Sequence, residues 1–273
     1  PREALRADLL PLEYTRSFAA IVLSALEMMR PAVATPDGTR ECLRFLCIGL
    51  GGGSVPSFLT LLPHAEVDVV ELEPSVVRAA SQGMGFTGGE RLRVEIVDGA
   101  AFALRAASRL AAGDGPGEAP RRYDAVLIDA YDAEGGVPEA LWHPEGDLAK
   151  ALRLGLLRSD GGVVAANFLP DVNVEPRLAA YRHSLANASV AFSVKSERTD
   201  NRIAVQTASP SSAEPLPGDC EELRLRLAAA ARRVATAMGC PFDMAALATR
   251  GLELWHPRPK AAPAEAADGG RAD

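Results

Sequence analysis

The spacing of apolar residues switches repeatedly between two periods along this chain. Helical spacing runs over residues 12–30 and stops at Pro31, which predicts a leading helix. That helix reads either as a lid packed on the fold or as a cap over a substrate cleft. After a turn at Asp37-Gly38, a continuous apolar strand occupies residues 43–48, runs into a glycine-rich turn, and gives way to a helix opening near Ser54 and Val55. The alternation then repeats: strand 66–71, helix from Ser75 to about Gln82, strand 91–97, helix to about Ala112, and a Gly/Pro loop over 113–120. A fourth strand spans 123–129, a long loop 130–146, a helix 147–157, a fifth strand 163–169 and a helix 173–188. Residues 191–196 and 201–207 flank Glu197-Arg198-Thr199-Asp200 as an antiparallel hairpin that closes the sheet. A Ser/Pro linker over 208–218 leads to a helix over 219–238 and a shorter one near 242–254, and the Pro/Ala/Gly-rich stretch beyond His256 reads as disordered. Strands alternating with helices imply an α/β, doubly wound, mostly parallel sheet. The expected units are an N-terminal helical cap (1–40), a core (41–207), a linker with C-terminal helices (208–256) and a tail (257–273).

Chemistry is densest after the first strand. Gly49, Gly51, Gly52 and Gly53 remove side chains where a ligand must approach the backbone, and the following helix start offers free N–H groups. A ligand-free tight turn is the competing reading. Glu71, at the tip of the second strand, stands about 20 residues further on, where an acid accepts hydrogen bonds from ribose hydroxyls. Glu73 and Pro74 read instead as first-turn residues of the next helix. The third strand ends in Asp98-Gly99, a second acid at the same edge. A dinucleotide calls for the first acid only; a nucleoside whose adenine amino group needs an acceptor calls for both.

Four segments in order, Gly49-Leu50-Gly51-Gly52-Gly53, Val70-Glu71-Leu72-Glu73-Pro74, Val97-Asp98-Gly99 and Tyr123 through Asp132, resemble the class I S-adenosylmethionine-dependent methyltransferases of the spermidine synthase-like branch. Within that branch, Ile128-Asp129-Ala130-Tyr131-Asp132 and Gly161 through Asn167 look most like methyltransferases related to the enzyme that methylates elongation factor 1-alpha. The resemblance covers residues 40–207. It implies a seven-stranded Rossmann-like sheet, S-adenosyl-L-methionine as cofactor, and an amine-like acceptor, either a small-molecule amine or a protein. Gly49, Gly51, Gly52, Gly53, Glu71, Asp98, Gly99 and Asp129 would hold the cofactor. Asp129 and Asp132, with Tyr131 between them and Glu134 beyond, would serve the acceptor, because amines arrive protonated and a carboxylate in a dry cleft can take or orient that proton. Against this, Asp129 could cap a strand end, Asp132 could be a solvated loop acid, and Tyr131 could simply pack over the cofactor. Aminopropyltransferases of the branch use an Asp-x-x-Asp pair, which Asp129 and Asp132 reproduce. Here Ala130-Tyr131 and Asp132-Ala133 depart from that pattern, and residues 1–40 hold no counterpart of the β-hairpin that grips the diamine. A non-catalytic, cofactor-binding scaffold subunit is the third reading.

With 273 residues, 48% of them hydrophobic, the chain can bury the core of one large domain. A net charge of −7 argues against broad nucleic-acid or anionic-membrane binding and weakly favours basic or amine substrates. No apolar run is long enough to span a bilayer. Cys42, Cys47, Cys220 and Cys240 lack CxxC spacing and read as free thiols; the four histidines lack metal-ligand spacing, so no metal is assigned. The start at Pro1, without an initiator Met, implies a processed or excised fragment. A cytoplasmic location is expected, or an organellar one if a targeting segment was removed, and a homodimer is left open.

Overall fold

A computed structural model describes residues 9–31, 42–113, 121–185, 187–209 and 217–255. The expected turn at Asp37-Gly38, the loop over 114–120, most of the Ser/Pro linker and the tail beyond residue 255 lie outside these residues. Element order is α1 (Glu13–Met29), β1 (Leu43–Ile48), α2 (Ser54–Leu59), β2 (Ala65–Glu71), α3 (Pro74–Gly83), β3 (Leu92–Ile96), α4 (Gly99–Ala112) and β4 (Ala125–Ile128). There follow α5 (Asp147–Arg153), β5 (Val163–Phe168), α6 (Glu175–Ser184), β6 (Ala188–Lys195), β7 (Arg202–Ala208), α7 (Cys220–Met238), α8 (Met244–Thr249) and β8 (Glu253–Trp255).

The strands form one sheet in the order β3-β2-β1-β4-β5-β7-β6-β8. Strands β1 to β5 run parallel, and β7, β6 and β8 are added antiparallel. Continuous apolar strands are what a sheet covered on both faces requires. In β1, Leu43, Phe45 and Cys47 enter the layer with α1, α2, α7 and α8, whereas Leu46 and Ile48 enter the layer with α4, α5 and α6. Strand order reverses between β1 and β4, so the crevice at their carboxyl ends is where ligands bind in such sheets. Register brings the functional residues to that crevice: Ile48 lies opposite both Val70 and Ile128, so Gly49, Glu71 and Asp129 leave the sheet together.

An eighth strand extends the seven-stranded expectation. The helix expected over 242–254 ends at Thr249, because Gly251 takes φ +55 and redirects the chain so that Glu253–Trp255 pairs with β6. The helix expected over 147–157 stops at Arg153, where Gly155 has φ +87 and Leu157 bridges to Tyr123. The helix expected over 173–188 ends at Ser184, with Leu185 extended and Ala188 already opening β6.

Helix α1 is buried on nearly every side, as an apolar helix between sheet and covering helices must be. Its two ends are fastened by acids. Glu27, fully buried, pairs with Arg233 of α7 at 2.9 Å. Glu13 accepts hydrogen bonds from the N–H groups of Glu197 (3.1 Å) and Arg198 (2.7 Å), from the Ser196 hydroxyl (3.2 Å) and from Arg250 (2.8 Å). Burial pushes the Glu13 carboxyl upward, yet these four donors together hold it below the usual glutamate value.

Candidate functional site

The glycine turn after β1 is shaped by contact as well as by dihedral angles. Gly49 has φ +96, and a Cβ there would lie 2.2 Å from the carbonyl oxygen of Asp129, so no other residue fits without moving β4. Gly51 also has positive φ, +51, but a Cβ there would meet nothing within 4 Å: it would project into the open cradle. Gly52 lies against Met84, and Gly53 precedes α2 as its N-cap. Glu71 stands beside the turn, one carboxylate oxygen accepting from the Leu50 N–H and the other from the Glu73 N–H, both at 2.9 Å. Asp98 caps α4 through the Ala101 N–H at 2.8 Å. Gly99 lets that helix start against β1, since a Cβ would approach the Ile48 side chain to 2.4 Å. Sequence reasoning missed the apolar rim here. Leu72, Ile96 and Met84 are each more than half exposed, beside Glu71, in register with Glu71 and against Gly52 respectively. Their large exposed faces suit a planar ring; in sequence only Leu72 directly adjoins an acidic strand end, whereas Ile96 lies two residues before Asp98 and Met84 follows α3 without such a mark.

The cradle continues into a small cavity lined by Tyr14, Phe18, Cys47, Gly51, Leu127 and Asp129, among others. Asp129 forms its inner wall. The backbone N–H of Asp129 donates to the Ile48 carbonyl at 2.9 Å, which locks its position to β1. Its side chain accepts from Asn167 Nδ2 at 2.9 Å and, at a long 3.5 Å, from the Tyr14 hydroxyl of α1. Burial pushes the Asp129 carboxyl above the usual aspartate range, only partly offset by hydrogen bonds from Asn167, Tyr131 and Tyr14. Burial, followed by the charge of Asp129, also raises the phenols of Tyr14 and Tyr131, so both remain protonated. The Tyr131 hydroxyl donates to the Asn167 carbonyl at 3.2 Å. Behind this group, Asn201 Nδ2 donates to Asn167 Oδ1 at 3.1 Å.

Asp132 is placed elsewhere. It is exposed, and its Oδ1 accepts from the N–H groups of Glu134 (3.1 Å) and Gly136 (2.7 Å), closing its own turn. Gly135, at φ +81, makes that turn possible. Thus Asp129 lines the cavity beside the glycine turn, with Tyr131 next to it on Asn167, whereas Asp132 and Glu134 are held in a surface turn. Tyr14, Asn167 and Asn201 were not singled out from sequence. For Asn167 the signal was present: a polar residue near the carboxyl end of a buried strand, the same cue that drew attention to Asp129. Tyr14 and Asn201 carry no comparable local mark. Among the described residues, no group of three or more His, Cys, Asp or Glu is placed to hold a metal, and no helix is long and apolar enough to cross a membrane.

No family model matches the chain. Over 88 residues, 32% of its length, it is 36% identical to the eEF1A lysine and N-terminal methyltransferase of Mus musculus. Over 140 residues, 51% of its length, it is 35% identical to the polyamine aminopropyltransferase of Vibrio vulnificus (strain CMCP6). The matched regions make up 11% of the first protein and 42% of the second, so the chain spans only part of either relative. The crystal structure of human methyltransferase-like protein 13 in complex with SAH aligns with a TM-score of 0.62 at 23% identity, over 85% of this chain and 94% of that one. The fold is therefore that of the Rossmann-like methyltransferases.

Proposed function

We propose that this chain, methyltransferase-like in fold and similar in sequence to both eEF1A methyltransferases and polyamine aminopropyltransferases, binds S-adenosylmethionine and methylates an amine-like acceptor. The acceptor is a small amine or an amine on a protein. The observation that carries this reading is the placement of Asp129: its half-buried carboxylate lines the cavity, and its backbone carbonyl packs against the turn at Gly49.

The residues present fit the cofactor. The open space at Gly51 admits it, Glu71 would meet its ribose and Asp98 its adenine, and Leu72, Met84 and Ile96 would flank the ring. Bound there, S-adenosylmethionine supplies a methyl group already activated by its sulfonium. The protein must then align the acceptor and exclude water. Helix α1 excludes water by roofing the cavity with Phe18, Thr15 and Tyr14. Asp129 attracts the acceptor ammonium into a desolvated wall and, having an elevated proton affinity there, accepts or orients the proton that the amine must lose. Tyr14, kept as a neutral phenol, donates to that carboxylate, and Tyr131, also neutral, stands beside it with its hydroxyl on the Asn167 carbonyl.

Aminopropyl transfer is the second reading, supported by the Vibrio vulnificus relative and by the Asp129-x-x-Asp132 spacing. The turn that occupies Asp132 speaks against it, because a diamine's distal ammonium would lack its partner. A scaffold without turnover is the third. Calorimetric titration with S-adenosylmethionine, its decarboxylated form and NAD, followed by radiolabelled-methyl transfer to free amines and to lysate proteins, separates the three. The proposal expects S-adenosylmethionine to bind in preference to both others and label to reach an amine. Preferential binding of the decarboxylated form, or binding without transfer to any acceptor, overturns it.

A further inference from the structure

We propose that Asn201 is a positioning residue for Asp129, acting through the side-chain amide of Asn167. The proposal rests on the reading of Asp129 as the acceptor-side carboxylate. Asn201 follows the tip of the β6–β7 hairpin, and both it and Asn167 are buried, at 6% and 1% exposure. Two hydrogen bonds run in series: Asn201 Nδ2 to Asn167 Oδ1 at 3.1 Å, then Asn167 Nδ2 to Asp129 Oδ1 at 2.9 Å.

An amide has one accepting end and one donating end. Because Asn201 donates to the oxygen of Asn167, the NH2 of Asn167 is the end that faces Asp129. A half-turn of the Asn167 amide would set its oxygen against the carboxylate oxygen and its NH2 against the NH2 of Asn201, two like contacts in a buried place. Asn201 thereby fixes which group the carboxylate meets. The titratable groups facing Asp129 among the described residues are Tyr14 from α1, Cys47 from β1 and Tyr131 from the segment after β4. Burial raises all three, so each stays neutral at ordinary pH. With neutral neighbours on those sides, donation by Asn167 is the main support for the ionised carboxylate.

Asn201 itself is held from outside the site. Its backbone carbonyl accepts from the Ser196 N–H at 2.8 Å, and the tip between them is hooked to Glu13 of α1. Hairpin, β5 and β4 thus form one line of support ending at the carboxylate.

The test reads Asp129 directly. Protein labelled with [γ-13C]aspartate, with the Asp129 signal assigned by Asp129→Asn, is titrated alongside Asn201→Leu, which keeps the branching at the γ-carbon and removes the donor. The titration midpoint of Asp129 is expected to rise by about one unit, a tenfold gain in proton affinity. Circular dichroism should be unchanged, and S-adenosylmethionine affinity should stay within about threefold. A purely structural Asn201 would lower the melting temperature and leave the midpoint where it was, which overturns the proposal. Wild-type protein supplies a measurement that needs no variant: the Asn167 side-chain NH2 resonances should shift with the Asp129 titration, and resonances that ignore it also overturn the proposal. The two readings fail separately. A moved midpoint without methyl transfer removes only the proposed function; transfer with an unmoved midpoint removes only the role of Asn201.

Discussion

The two halves of the cleft are built by different means. On the proposed cofactor side, residues 49–53 are consecutive, Glu71 ends β2, Asp98 follows β3 as the N-cap of α4, and much of the surface offered is backbone or small glycine. On the acceptor side, side chains converge from far apart. Tyr14 meets Asp129 across 115 residues, Asn167 across 38, and Asn201 reaches Asn167 across 34. A backbone cradle tolerates few substitutions because the chain itself is the contact surface. A side-chain cluster can change its chemistry residue by residue while the sheet stays intact. The first half therefore suits a ligand shared among relatives, and the second is where acceptor choice can diverge.

The largest expected effect tests the acceptor half. Asp129→Asn should lower methyl transfer by about two to four decades with little change in cofactor affinity. Stability should move the other way. The folded carboxyl holds its proton to higher pH than an unfolded aspartate, so folding stability falls as pH rises from the ordinary aspartate pKa through the elevated folded one. Asparagine removes that loss, and thermal melts of the variant should exceed wild type near neutrality and converge with it in acid. Full activity of Asp129→Asn near neutral pH would dissolve the division of labour between the halves.

Next comes a paired test within the cofactor half. Gly49→Ala should cost about 3 kcal/mol or more in urea unfolding, because its Cβ must displace the Asp129 carbonyl in addition to adopting positive φ. Gly51→Ala should cost only about 1 kcal/mol, the strain of a left-handed alanine, while weakening the cofactor by occupying the cradle. Equal stability losses would mean that the contact with β4 does not matter. A smaller change follows from Glu71→Ala, which should weaken S-adenosylmethionine by about 1.5–3 kcal/mol, or one to two decades, in calorimetric titration. The smallest belongs to Asp132→Asn. Its amide oxygen can still accept from the turn, so turnover should stay within about threefold of wild type. A loss rivalling that of Asp129→Asn would restore the acid pair and favour aminopropyl transfer.

The same contrast explains what could be read from sequence. From β1 to α4 the pattern is legible because each element is specified locally: a continuous apolar strand, a turn glycine, an acidic strand end, a helix with an apolar face. Gly49, Glu71, Asp98 and Asp129 inherit that legibility from the strands they terminate. β8 was hidden because three residues cannot display a period, and because its existence depends on β6 as partner and on Gly251 turning the chain. Tyr14 looked like one more residue of a buried helix; only the placement of α1 over β4 gives its hydroxyl a role. The setting of Asp132 was hidden for the opposite reason. Its spacing from Asp129 matched a catalytic pattern, but the glycines that follow let its carboxylate fold back on its own loop.

Glu13 joins the first turn of α1 to the hairpin tip at Ser196, Glu197 and Arg198 and to Arg250 just beyond α8. A ribosome delivers these segments in the reverse of the order in which the roof needs them. Helix α1 gains its full set of contacts over the cavity only when the hairpin tip and residue 250 are in place. The roof over the cavity thus depends on contacts of long sequence separation, the kind whose closure costs the most chain entropy. A nascent chain that ends before α7 would hold the glycine turn and both strand-end acids, with α1 lacking the two helices that cover most of its outer face.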